Sequence, residues 1–228
     1  MSTGCWPTVH LETAVKHKMN IITPFNGIFY SASNNGKTSL AIDLIKNQSI
    51  FDKRFDEIYY VYTRFNPRFR ELPNVKFTTD IPELKADGKN KLLVCDDVLV
   101  DKTLMEKLVS IFLVDAHHTS TSCWILIQSL TGDKHLRTLS INTHVFFIFR
   151  HLRDTLSINR LFTQIGMDTR YLKAAYKAAT KEKYTYLCIN LQQGVNNALR
   201  LSSNILSKHP KIFLPKAVET PYAVPLDE

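Results

Sequence analysis

Residues 27–40 read Gly-Ile-Phe-Tyr-Ser-Ala-Ser-Asn-Asn-Gly-Lys-Thr-Ser-Leu. An apolar, β-prone run gives way to a turn of small residues, and a helical period begins at Lys37. That order curls consecutive backbone N–H groups around one point and aims a helix N-terminus at it, which is the requirement for holding a phosphate. Gly36, Lys37 and Thr38 fill the last three places of the pattern G-x-x-x-x-G-K-[ST], where the ammonium reaches the outer phosphates and the hydroxyl faces a divalent cation. Ser31 departs from the pattern, standing where it has its first Gly. Asn34 and Asn35 offset that departure, since Asn tolerates positive φ. The candidate phosphate contacts are therefore Ser31, Ala32, Ser33, Asn34, Asn35, Gly36, Lys37, Thr38 and Ser39. A Gly-Lys-Thr triplet alone also opens helices that bind nothing; the strand before it and the helix after it carry the reading.

Two further strands end in groups that fit such a loop. Residues 91–96 are an apolar run closing on Asp96 and Asp97. A first carboxylate there holds Mg²⁺ and a second orients or deprotonates the attacking water, so Thr38 and Asp96 are the candidate metal contacts and Asp97 the candidate base. The plain alternative is an acidic strand end or helix cap. Residues 123–129 end an apolar run with Gln128, and ligand crevices of open α/β sheets lie at the carboxyl ends of strands, so its amide is placed to hold the lytic water. Alone, such a Gln is a surface residue.

Strands are expected at 27–30, 57–63, 91–96, 123–129, 144–150 and 184–191, with a short one at 75–78. Helices are expected at 37–48, 103–114, 155–164 and 168–180, Asp168 capping the last, and a shorter one near 134–139. Several strands are apolar at consecutive positions, which means burial on both faces and a mainly parallel sheet between helical layers. The expected division is an extension at 1–20, an α/β domain at 21–206 and a tail at 207–228. Prolines at 210, 215, 221 and 225 bar that tail from helix or central strand.

The 228 residues, 44% apolar and 11% aromatic, suit one globular domain and exclude collagen-like, coiled-coil and largely disordered chains. Apolar runs are too short to cross a bilayer, and polar residues interrupt the start before any signal-like core, so the protein is expected neither in a membrane nor secreted. Cys95, Cys123 and Cys188 lie in apolar runs and fit reduced, buried thiols; Cys5 stands alone. The net charge of +8 and pI of 9.3 permit a polyanionic partner. Lys173, Lys177 and Lys181, and the run from Arg64 to Arg70 with its phenylalanines, are candidate nucleic-acid contacts, although a solvated helix face and an anchored loop explain them equally. His117 and His118 have no ligand partner at metal spacing and fit packing or a subunit contact.

The set taken in order, Ser31 to Thr38, then 92–97, His117-His118, 123–128, 137–142, 144–150, Arg153-Asp154, and 180–187 with 199–201, resembles the genome packaging ATPases of large DNA viruses, the poxvirus-type branch of the FtsK/HerA superfamily. The resemblance spans about residues 22–205, and the short length looks more like the packaging enzymes of Polinton or adintovirus elements. It implies a P-loop NTPase of the ASCE type, a three-layer α/β sandwich with the glutamine strand between the Walker A and Walker B strands. It also implies ATP and Mg²⁺ as cofactors and hydrolysis that drives double-stranded DNA into a capsid. The expected assembly is a ring of identical subunits meeting portal or capsid proteins, with no membrane partner, located inside the cell (host nucleus or viral factory) or in the virion. An Arg of one subunit would complete its neighbour's site, with Arg137 ranked first, ahead of Arg150 and Arg153, as lying in a loop free to reach across. Two other readings remain: a helicase or other DNA-dependent ATPase on the same core, and a nucleotide-binding structural subunit without turnover.

Overall fold

The computed structural model describes residues 10–12, 20–98, 102–115, 118–130 and 134–214. In chain order its elements are β1 (His10–Glu12), β2 (Asn26–Tyr30), α1 (Lys37–Lys46), β3 (Glu57–Tyr62), β4 (Lys76–Thr78), β5 (Lys91–Asp96), α2 (Lys102–Ser110), β6 (Thr121–Ile127), α3 (Lys134–Ile141), β7 (Val145–Phe149), α4 (Thr155–Ile165), α5 (Thr169–Ala179), β8 (Tyr186–Asn190), β9 (Leu201–Ser203) and β10 (Lys211–Leu214). A π-helical turn, Ile111–Asp115, extends α2.

All of these strands join one sheet, in the order β1-β10-β9-β8-β7-β2-β6-β5-β3-β4. From β4 to β7 every neighbour is parallel. From β7 outward through β8, β9, β10 and β1 every pairing is antiparallel. The fold is thus α/β with a large, mostly parallel sheet, and the strand ending at Gln128 lies between the phosphate-loop strand and the acidic strand.

The central strands are buried at every position in β2, β5, β6 and β7, as continuous apolar runs require. Their side chains alternate between two cores. Ile28, Ile125 and Ile148 pack with Leu108, Leu136, Ile158 and Leu172 of α2 to α5 on one face. Phe29, Trp124 and Phe147 pack with Leu40, Leu44 and Ile45 of α1 on the other. Phe29 stacks on Phe147 at 4.4 Å and meets Trp124 at 5.5 Å, so the sheet beneath α1 is held largely by aromatic packing.

At the C-terminal end the expectation that the prolines bar the tail from a central strand is corrected. Lys211–Leu214 is a strand between Pro210 and Pro215, within the segment read as a tail; the prolines flank it, and its own N–H groups remain available for pairing. His10–Glu12, within the expected extension, pairs with it. Cys95, Cys123 and Cys188 are buried free thiols, and no helix among the described residues is long and apolar enough to cross a membrane. Cys5 and His117 lie outside the described residues.

Candidate phosphate site

Parallel register brings the strand ends level: Tyr30 pairs with Ile127 and with Ile148, and Asp96 with Leu126. The next residues, Ser31, Gln128 and Asp97, therefore follow their strands side by side on one edge of the sheet, level with Phe149 at the end of β7. This is the crevice where connections from β2 and β6 leave to opposite faces, α1 covering one and α3 the other.

Within the loop, positive φ is taken by Asn34 (60°) and Gly36 (100°). Ser31 is fully buried and its hydroxyl donates to the Ala32 carbonyl at 2.8 Å. The place where the common pattern has its first Gly thus needs a small side chain here, with no left-handed backbone, and Ser meets that need. Gly36 is the N-cap of α1 and offers no side-chain cap, and the first turn of α1 contains no acid. By contrast α4 and α5 are capped by Asp154 and Asp168, as expected for Asp168. The uncapped N–H groups of α1 suit an anion.

Lys37 is almost fully buried, and its ammonium donates to the carbonyls of Ser31 at 2.8 Å and Ala32 at 3.1 Å. Burial pushes this ammonium below its ordinary value, while the Asp97 and Asp96 carboxylates oppose that shift. Asp96 is 8% exposed, and one of its oxygens, Oδ2, accepts from Thr38 Oγ1 at 2.8 Å and from Tyr60 Oη at 2.9 Å. Burial raises the Asp96 carboxyl and those two donors lower it, leaving it above the usual range. The pairing of one hydroxyl with one carboxylate is an all-oxygen, hard donor set. It fits Mg²⁺, which takes few protein ligands and keeps its other positions for water and phosphate.

Asp97 has φ 55°, an uncommon conformation outside Gly, Asn and their like, and it turns the carboxylate out of the strand direction. Its Oδ1 accepts from Gln128 Nε2 at 3.1 Å, and Gln128 Oε1 accepts from Ser33 Oγ at 2.8 Å. A chain of hydrogen bonds therefore runs from the phosphate loop through the glutamine to the second acid. Lys37, Thr38, Asp96, Asp97, Gln128 and Ser33, drawn from three strand ends, meet at one crevice.

The arginines are placed differently. Arg137 is exposed on helix α3, not in a loop, because residues 134–141 satisfy their backbone as helix. Arg150 follows β7 directly, and its carbonyl accepts from Asn35 Nδ2 at 2.9 Å, tying that segment to the chain's own phosphate loop. Arg150 and Arg153 line a cavity beside the loop. In the run 64–70, Arg68 is bound to Asp43 at 2.8 Å and to Glu71 at 2.9 Å, and Phe69 is buried against Phe77. These two residues anchor the loop to α1, while Phe65 is exposed. Lys173 and Lys177 lie on α5, and Lys181 falls beyond its end. Among the described residues no group of three or more His, Cys, Asp or Glu side chains converges as a metal cage, so the Thr38–Asp96 pair is a site that relies on water and phosphate for its other positions.

Sequence reading missed Tyr60 as part of this site, and it named Ser33 only as a phosphate contact, without its bond to Gln128. The signal for Tyr60 was a phenol inside a strand of expected full burial, where the hydroxyl must find a partner. It missed, too, the cluster of Tyr30, His151, Asp154 and Tyr176. Tyr30 Oη donates to Asp154 at 2.6 Å and its ring stacks on His151 at 5.3 Å, while the His151 N–H donates to Tyr176 Oη at 2.9 Å. The cluster fixes the path of the segment that presents Arg150 and Arg153.

No protein-family model and no curated protein matches the sequence. Among solved structures, the chain is similar to the genome packaging NTPase B204 from Sulfolobus turreted icosahedral virus 2. Against its complex with ATP-γ-S the identity is 11%, with 84% of this chain and 98% of that chain covered at a TM-score of 0.44. Against its complex with sulfate the identity is 13%, with 84% and 97% covered and again a TM-score of 0.44.

Proposed function

We propose that the protein is a Mg²⁺-dependent ATPase. The observation that carries this reading is the hydrogen-bonded chain Ser33–Gln128–Asp97 beside Lys37 and the Thr38–Asp96 pair. It joins a phosphate loop, a metal-type donor pair, a carboxylate and a carboxamide at one point.

Bound Mg²⁺ would supply charge neutralisation between the outer phosphates, held on the protein side by Thr38 and Asp96. The loop N–H groups and the uncapped start of α1 bind the phosphates. Lys37, now turned onto two loop carbonyls, exchanges them for phosphate oxygens. Asp97 accepts a proton from the attacking water, and Gln128 orients that water with its amide. Because Gln128 contacts both the loop and Asp97, a phosphate oxygen that accepts from Ser33 Oγ, and so draws that hydroxyl off Gln128 Oε1, reports its presence to the base. A guanidinium from a neighbouring subunit would complete charge compensation, with Arg137 on the exposed side of α3 as the assigned donor.

The cellular role rests on the ordered motif set: we infer a homo-oligomeric ring that moves double-stranded DNA into a viral capsid, working with portal or capsid proteins. Phosphate release from Mg²⁺-ATP, measured with and without double-stranded DNA over a range of protein concentrations, tests both levels. A ring with shared sites gives specific activity that climbs with concentration and with DNA. Binding of ATP with no turnover under any of these conditions would favour a structural subunit instead.

A further inference from the structure

Beside the phosphate loop, on the side away from Gln128, lies a cavity of about 400 Å³. Its walls are Ala32 and Asn35 of the loop, the segment carrying Arg150 and Arg153 after β7, and the turn carrying Lys183 and Tyr184 before β8. The volume is that of a small-molecule site. A nucleotide whose phosphates occupy the loop leaves it in one of two directions. The β6 side is taken up by the polar Ser33–Gln128–Asp97 chain, which offers no apolar surface to a base. The β7 side opens into the cavity.

Tyr184 is the unusual residue there. Its φ is 65°, a left-handed conformation that an aromatic side chain rarely adopts, and the sequence pattern had placed it inside a strand. That backbone turns the ring toward the loop: a Cβ added at Gly36 would lie 3.4 Å from Tyr184 Cδ1. Yet the residue is 57% exposed, so core packing does not account for its placement. The Lys183 ammonium lies 4.8 Å from the ring centroid, a cation–π contact that orients the ring in solvent. An exposed, oriented aromatic at the mouth of a cavity next to a phosphate loop is a stacking surface.

We propose that this cavity is the base and ribose subsite of the nucleotide, that the base stacks on Tyr184, and that the ligand class is consequently purine nucleoside triphosphates in preference to pyrimidine ones. Stacking on a phenol ring rewards ring area, so adenine and guanine gain over cytosine and uracil. The proposal rests on the ATPase reading and adds to it the place of the base and the residue that selects it.

The test measures dissociation constants of the full chain with Mg²⁺ for ATP, GTP, CTP, UTP and inorganic tripolyphosphate. In the parent, ATP and GTP bind about tenfold or more tighter than CTP and UTP. Tyr184→Ala weakens ATP by about tenfold or more and closes the purine–pyrimidine gap, while tripolyphosphate binding stays as in the parent. Tyr184→Phe keeps the gap. Tyr184→Gly removes the ring together with the left-handed strain, so a loss of ATP affinity in that variant cannot come from a misfolded turn. Unchanged ATP affinity and selectivity in both ring deletions, with ATP and tripolyphosphate still lost in Lys37→Ala, would overturn the base subsite and leave the phosphate site standing. Binding of every ligand unaffected by Lys37→Ala would overturn both.

Discussion

Asp96 shows how closely the metal-type pair is held. Its Oδ2 accepts from both Thr38 and Tyr60, and the Tyr60 ring is fully buried. Tyr60→Phe removes one donor and leaves the ring, so we expect about 1–2 kcal/mol of lost stability and a several-fold higher Mg²⁺ requirement for turnover. Thermal melts and a Mg²⁺ titration check the two effects separately. Ser31 gives a prediction of the opposite kind. Since the backbone there needs no positive φ, Ser31→Gly restores the common loop pattern without a conformational reason for benefit. Nucleotide affinity should not rise, and stability should fall by up to about 1 kcal/mol through the freer unfolded chain. The sequence showed the departure at Ser31 and named Asn34 and Asn35 as carriers of positive φ; Asn34 is one and Asn35 is not, the other left-handed position of the loop being Gly36. It could not show Asp97 in the left-handed region, because that conformation follows from the turn out of β5 and from the bond to Gln128.

Elements were legible where period and burial agreed. The six long strands and five helices fall within a few residues of their expected places, since apolar runs at the sheet centre leave one secondary structure open to them. Strands β1, β9 and β10 were not legible: each exists because antiparallel neighbours remote in sequence or across a turn take up its hydrogen bonds, which no local apolar pattern shows. Arg137 was placed in a loop although a helix was expected near 134–139; the helix forms, over Lys134–Ile141, and carries it. On β3, Glu57 accepts from Lys89 at 2.6 Å and from Tyr59 at 2.8 Å, and these bonds bring its carboxyl down to about 2 from an ordinary 4.5. A lowered folded-state value means stability that is present above pH 4.5 and lost as the pH falls toward 2. Denaturant melts across that window should show the loss, Glu57→Gln should flatten this contribution, and added salt should reduce it because the pair is exposed to solvent.

At the scale of the molecule, one face of the sheet is covered by α1 and the other by α2 to α5, and the crevice sits at the carboxyl edge between them. That geometry makes the site a property of the whole sheet: the ammonium, the carboxylates and the carboxamide come from β2–α1, β5 and β6, and only parallel register levels them. The sequence indicated which groups belong together, but the bridges through Ser33 and Tyr60 depend on distances across strands that no spacing reveals. In an assembled ring, Arg137→Ala should lower turnover about 10³-fold with nucleotide affinity retained, and mixing it with Lys37→Ala subunits should restore part of the activity if the guanidinium acts across a boundary. Mixed-subunit assays check this.

We propose that one crevice both holds a nucleoside triphosphate and cleaves it. The most direct measurement is Mg²⁺-ATP binding and phosphate release side by side for the parent, Lys37→Ala and Asp97→Asn. We predict that Lys37→Ala loses both, and that Asp97→Asn binds ATP as the parent does while release drops about 10²-fold or more. Phosphate release surviving at the parental rate in Asp97→Asn, or in Lys37→Ala, would contradict the account.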